Sequence, residues 1–234
     1  MNDSISDYDI PKRTAELLES LIRAETGGPN EASATPWLRS PLVCFPAVAP
    51  ILPSSRCFLE LLKAIPLEGM AVLDFGTGSG ILAFASSKLG AEKIDAIDVN
   101  PKAIAAARAN AQLHKLSRGL QIFPSDGFAA VRARYDVILA NLPIVEGSAQ
   151  AGIDYGLYDP AYALHRHFFS SIHQHLKPGG SAYICHAEIQ AKWSFSDLES
   201  LASQFGLHCG LAYRQYYEEV EWRIYRLGTA NPIA

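Results

Sequence analysis

The residues best suited to chemistry fall in two short stretches. The first is Asp74-Phe75-Gly76-Thr77-Gly78-Ser79-Gly80, three alternate glycines behind a carboxylate. Glycine lets a ligand approach the backbone closely, and a loop of this kind between a strand and a helix presents N–H groups. Asp98 follows Gly76 by 22 positions, the reach at which a carboxylate ending the next strand meets a nucleoside ribose. A carboxylate accepting both ribose hydroxyls forms charge-assisted bonds of about 1.5–3 kcal/mol each. The third glycine comes one place too early for the G-x-G-x-x-G of dinucleotide folds, so a pyrophosphate is not the best fit. The second stretch is Asn141-Leu142-Pro143-Ile144, directly after an apolar run.

Other reactive residue types do not cluster usefully. His165, His167, His173 and His175 crowd one segment, but their separations miss the three or four positions that place two ligands on one helix face. Cys44, Cys57, Cys185 and Cys209 form no C-x-x-C pair. Neither a metal site nor a disulfide framework is expected, and the thiols suit a reducing compartment.

The elements that must position these groups follow from periodicity. Ala71-Val72-Leu73-Asp74-Phe75 reads as a short buried strand running into the glycines, with a helix over 80–88 behind it. Further strands are expected over 93–98, 120–123, 135–140, 181–186 and 221–227, and helices through Phe58 to Leu62 and over 101–114, 161–176 and 195–205. Apolar strands alternating with helices imply an α/β fold with a mainly parallel sheet covered on both faces. Upstream, Leu17, Leu18, Leu21 and Ile22 make one stripe of a short amphipathic helix over 11–24. The Gly-, Ser- and Thr-rich segment from Glu25 to Pro41 reads as a loop or a lid. The expected division is therefore 1–53, an N-terminal helix and lid, and 54–234, the α/β domain.

In the order acidic-x-G-x-G-x-G, the loop resembles the first motif of the class I S-adenosylmethionine (SAM)-dependent methyltransferases. Ala96-Ile97-Asp98-Val99-Asn100-Pro101 with Ala107 and Asn110 resembles their second strand and its helix. Ser125-Asp126-Gly127-Phe128 resembles the segment against adenine, and Lys177-Pro178-Gly179-Gly180 the turn before the sixth strand. The resemblance implies a Rossmann-like sheet of seven strands with helices on both faces and an antiparallel last strand, and SAM as cofactor. It implies that Asp74 and Gly76, with Gly78 and Gly80, approach the aminocarboxypropyl arm and that Asp98 holds the ribose. Asp126 would accept from the adenine amino group, with Phe128 or Val99 bordering the ring.

Asn141-Leu142-Pro143-Ile144 resembles the N-P-P-aromatic motif of amino-group methyltransferases, including those of the release-factor glutamine amide. There the Asn side chain and the following carbonyl accept from the acceptor nitrogen. Asn141 and Pro143 are kept, Leu142 replaces the first Pro, and Ile144 replaces the aromatic that would stack on a base, a surface worth about 1–3 kcal/mol. Tyr155, Tyr158 and Tyr162 lie where the family builds its acceptor wall; they either face a sulfonium, gaining about 0.5–2 kcal/mol, or pack the connection onto the sheet.

The chain has 234 residues, 49% of them hydrophobic, enough for one cored domain, and its formal net charge is −4. It lacks the broad positive field that grips nucleic acid by its phosphates. With Ile144, that charge gives the expectation of methyl transfer to nitrogen or oxygen of a small-molecule or peptide acceptor, with nucleic acid disfavoured. The alternatives are a SAM cyclase acting on SAM alone to make azetidine-2-carboxylate for secondary metabolism, an rRNA or protein glutamine methyltransferase, and a SAM-binding module without catalysis. The polar, acidic start and the prolines interrupting the most apolar run give no signal peptide or membrane span, so the cytoplasm is expected. The sequence does not set the oligomeric state.

Overall fold

Ala71–Phe75 forms strand β3 and is buried at every position, as a strand must be when helices cover both faces of its sheet. The computed structural model describes residues 30–31, 43–44, 48, 52–147, 156–189, 193–217 and 219–229. In chain order, the elements around β3 are β1 (Asn30–Glu31), β2 (Val43–Cys44), α1 (Pro53–Leu62), α2 (Ile81–Lys88), β4 (Lys93–Asp98), α3 (Pro101–Leu113), β5 (Leu120–Pro124) and β6 (Tyr135–Ala140). A 3-10 turn at Pro160–Tyr162 leads into α4 (Ala163–His175), followed by β7 (Leu176–Ala187), α5 (Phe195–Gln204), β8 (Leu207–Tyr217) and β9 (Val220–Thr229).

Seven strands make one sheet in the order β5-β4-β3-β6-β7-β9-β8. β5, β4, β3, β6 and β7 run parallel, and β9 lies antiparallel between β7 and β8. From β3 the chain first builds outward through β4 and β5, then returns to add β6 on the other side. Ligands of open α/β sheets bind outside the carboxyl ends of the strands at such a reversal. One apolar cluster, with Phe58, Leu62 and Phe84, packs α1 and α2 on one face. The other, with Phe168, Phe169, Leu198 and Tyr225, packs α4 and α5 on the opposite face.

Differences from the sequence expectation have local causes. The helix expected from Ala161 starts at Ala163, because Ala161 and Tyr162 take left-handed backbone angles, φ 51° and 53°. β7 begins at Leu176 because Leu176 already pairs with Tyr135, ahead of a register shift between Tyr135 and Val137. β8 carries no clear alternation of buried and exposed positions, being an edge strand paired only with β9. The last strand, expected over 221–227, runs over Val220–Thr229 and pairs antiparallel with β8.

The helix expected over 11–24 and most of the segment 25–53 lie outside the described residues. Within that segment β1 pairs antiparallel with β2, and Val48 packs on Ala103 and Ala106 of α3. Among the described residues, no helix is long and apolar enough to cross a membrane.

Candidate functional site

The glycine loop leaves β3 and enters α2, and its amides are spent inside the protein. Gly76 and Thr77 donate to the Ile97 carbonyl at 2.9 and 2.8 Å, Gly78 donates to Asp98 Oδ2 at 2.9 Å, and Gly80 donates to the Thr77 carbonyl at 2.8 Å. These N–H groups, expected to face a ligand, are therefore no anion cradle, which a pyrophosphate would need. The loop is held from beneath as well: the buried Asn110 side chain donates to the Ser79 carbonyl at 3.1 Å. Asp74 is buried; its Oδ2 accepts from Thr77 Oγ1 at 2.7 Å and from the Ala83 amide at 3.0 Å. Burial, reinforced by the charge of Asp98 and opposed by those two bonds, raises its pKa to about 6.

Above the loop lies a cavity of about 180 Å³, bordered by Asp74, Gly76, Gly78, Asp98, Val99, Asp126 and Asn141. A side chain added at Gly76 or Gly78 would meet nothing within 4 Å, so the backbone there is open to a ligand. Asp98, at the end of β4, also accepts from the Asn100 amide at 2.8 Å, and burial raises its pKa. Val99 is exposed at the rim and Asp126 is exposed beside it.

Four residues expected to contact cofactor or acceptor do not border the cavity. Gly80 does not border the cavity; its φ is +94°, and a Cβ there would fall 2.2 Å from the Phe84 ring, so helix packing fixes the residue. Phe128 is buried between Phe75, at 4.8 Å between ring centroids, and His175, stacked at 4.3 Å, leaving Val99 as the apolar border. Tyr162 is buried with its ring 3.7 Å from that of Trp193, and Tyr158 packs against the core cluster of α1 and α2. Neither borders the cavity, whereas the neighbouring Leu157 does. Tyr155 lies outside the described residues.

At the other end of the cavity the backbone leaves β6 through Asn141, Leu142, Pro143, Ile144 and Val145, all of which border it. Asn141 Nδ2 donates to Ser55 Oγ at 3.1 Å, and Ser55 is buried in the first turn of α1. That bond occupies the amide nitrogen and orients Oδ1 as the acceptor. Val145 donates to the Leu157 carbonyl at 3.2 Å and accepts from the Asp159 amide at 2.9 Å, so residues 156–159 form a wall against the strand end. Sequence reasoning missed Ser54, Ser55, Leu157, Ile189 and Trp222 as cavity residues. Only Ser54-Ser55 carries a local signal, two hydroxyls opening a helix. Among the described residues no group of His, Cys, Asp or Glu could hold a metal ion.

This fold and this loop are those of the class I SAM-dependent methyltransferases. Residues 53–145 match the family described as ribosomal protein L11 methyltransferase (PrmA). The ribosomal protein L11 methyltransferase of Klebsiella pneumoniae is 45% identical over 91 residues, 38% of this chain and 30% of that relative. The chain thus aligns with about a third of the length of the curated relatives it matches. A ribosomal protein L11 methylase from Lactobacillus delbrueckii subsp. bulgaricus superposes with a TM-score of 0.58 at 20% identity, covering 76% of this chain and 79% of that one. A T. Thermophilus 16S rRNA methyltransferase in complex with AdoMet and guanosine gives 0.58 at 19% identity, covering 78% and 46%.

SAM is the cofactor, and the cavity fits it. It offers a carboxylate at Asp98 for hydroxyls, an apolar rim at Val99, a second carboxylate at Asp126 and an open backbone at Gly76 and Gly78, with no donors reserved for phosphate. The expected acceptor does not survive. The relatives sharing sequence are named for a ribosomal protein, which overturns the expected partners, a small-molecule or peptide acceptor or SAM alone with nucleic acid set aside. The physical error lay in reading Ile144 as a measure of acceptor size. A pocket side chain reports the shape of the reacting group and not of the molecule that carries it.

Proposed function

We propose that the chain transfers methyl groups from SAM to an amino or amide nitrogen of a protein, with a ribosomal protein as the acceptor class. The observation that carries this reading is the Ser55–Asn141 hydrogen bond at the end of β6, 3.1 Å long, which holds the Asn141 carboxamide nitrogen beside the cavity and would leave its oxygen as the acceptor. SAM bound there supplies an electrophilic methyl on a sulfonium. Asn141 Oδ1, with the Leu142 carbonyl, would accept the acceptor's N–H and turn its lone pair toward that methyl. Holding both partners in line supplies much of the rate.

An attacking amine must be neutral, and the apolar border of Ile144, Val145, Leu157, Ile189 and Trp222 disfavours the ammonium form. An aliphatic residue at position 144 also suits an amino-acid side chain, which needs no stacking ring there. The match over residues 53–145 includes Ser55 and Asn141, and its relatives are named for a ribosomal protein.

Incubation of the full chain with SAM and either ribosomal protein L11 or ribosomal RNA, followed by mass spectrometry of each, tests the reading. Methyl groups on the protein are expected. Methylation of the RNA with none on the protein would overturn it.

A further inference from the structure

The 156–159 wall is fastened by a buried pair that the chemistry at Asn141 does not itself use. Asp159 is 2% exposed and His165 is 0% exposed. The carboxylate of Asp159 accepts from the Leu164 amide at 2.8 Å, the His165 amide at 3.1 Å and His165 Nδ1 at 2.7 Å. One side chain therefore joins the wall, already bonded to Val145 through the Asp159 amide, to the first turn of α4.

The far side of the imidazole is apolar. It stands edge-on to Trp193 at 4.6 Å between ring centroids, and its Nε2 is buried without a hydrogen-bond partner. The ring therefore donates from Nδ1 and presents a bare lone pair at Nε2, and burial lowers its pKa so that this neutral form persists. The cavity residues Leu157 and Leu164 flank the pair on its two elements.

We propose that His165, fixed by Asp159, is a positioning residue that sets the wall at Leu157 and Leu164 against Asn141 and so places the acceptor nitrogen. This rests on the reading of Asn141 given above. The donor at Nδ1 carries the role, because it is the side-chain donor that orients a carboxylate which the Leu164 and His165 amides also bond.

The test uses the full chain and two ligands, S-adenosylhomocysteine and sinefungin, whose amine stands where the transferable methyl would be. Their calorimetric affinity ratio reports the acceptor end without any acceptor. Wild type is expected to prefer sinefungin by about tenfold, or about 1.4 kcal/mol, and N141A to lose that preference. H165N places an amide donor near the position of Nδ1 and should keep the preference; H165Q places it near Nε2 and should lose it, with S-adenosylhomocysteine affinity unchanged in both.

If H165Q keeps the preference that N141A loses, the positioning role is overturned while the Asn141 reading stands. Equal losses of S-adenosylhomocysteine affinity in H165N and H165Q, signifying general damage to the fold, would also overturn it. A wild type without preference, or an N141A variant that retains it, overturns the Asn141 reading and the inference with it.

Discussion

Ser55 Oγ and Asn141 Nδ2 stand 3.1 Å apart although 86 positions separate them in the chain. The first turn of α1 thereby restrains the Asn141 carboxamide through its nitrogen. Ser55→Ala should lower kcat about tenfold, since a free carboxamide spends time with its nitrogen where an acceptor oxygen is needed, and should leave SAM affinity alone. Steady-state kinetics with calorimetry of SAM binding checks this, and a parallel fall in affinity would count against it.

Asp98→Ala should weaken SAM binding by one to two powers of ten, about 1.4 kcal/mol each. Part of that loss comes from the loop, because Asp98 also holds the Gly78 amide. Asp98→Asn keeps an acceptor oxygen and should lose less. Titration of the two variants separates the contributions; affinity unchanged in both would remove Asp98 from the site.

The glycines of one loop should fail in different ways. Gly80→Ala drives a Cβ into the Phe84 ring at positive φ and should cost about 1–3 kcal/mol of stability. Gly78→Ala meets open space and should cost about 1–2 kcal/mol from backbone conformation alone while obstructing SAM. Urea unfolding set beside SAM titration distinguishes the two. Stability losses in the opposite order would contradict the packing assigned to Gly80.

His186 is buried at the end of β7, and its burial lowers its pKa from 6.5 to about 3. The unfolded chain takes up a proton below pH 6.5 and the folded chain does not. The stability His186 contributes is therefore whole above pH 6.5 and is lost as the pH falls toward 3. Between pH 7 and pH 5 this amounts to about 2 kcal/mol. Asp74, raised from 3.8 to about 6, acts in the opposite sense over its own window. His186→Leu removes the first effect and keeps the second, so its urea midpoint should fall less between those two pH values than that of wild type. Equal falls would contradict the assignment.

Asp74, Gly76, Gly78, Asp98 and Asn141, which border the cavity, were legible because each lies at or near a strand end; the alternation announced six of the seven strands, and the count of seven came from the family resemblance. Ser55, Leu157 and Trp222 reach the cavity only through packing of elements distant in sequence, and no spacing rule announces them. Phe128 and Tyr162 show the complementary failure. Residue type placed them near the site, but side-chain direction, set by Phe75 and His175 for one and by Trp193 for the other, took them into the core. β8 escaped notice because an edge strand with one paired side needs no strict alternation to be stable.

The carboxyl of Asp74, poised near pH 6 and bordering the cavity, makes ligand binding a proton-releasing event. A sulfonium and an ammonium settling beside it favour the ionised form, so near pH 6 the complex expels a proton into the buffer. The apparent enthalpy of SAM binding at that pH therefore carries the buffer's own heat of ionisation. It should differ between phosphate and MES, and Asp74→Asn should abolish the difference.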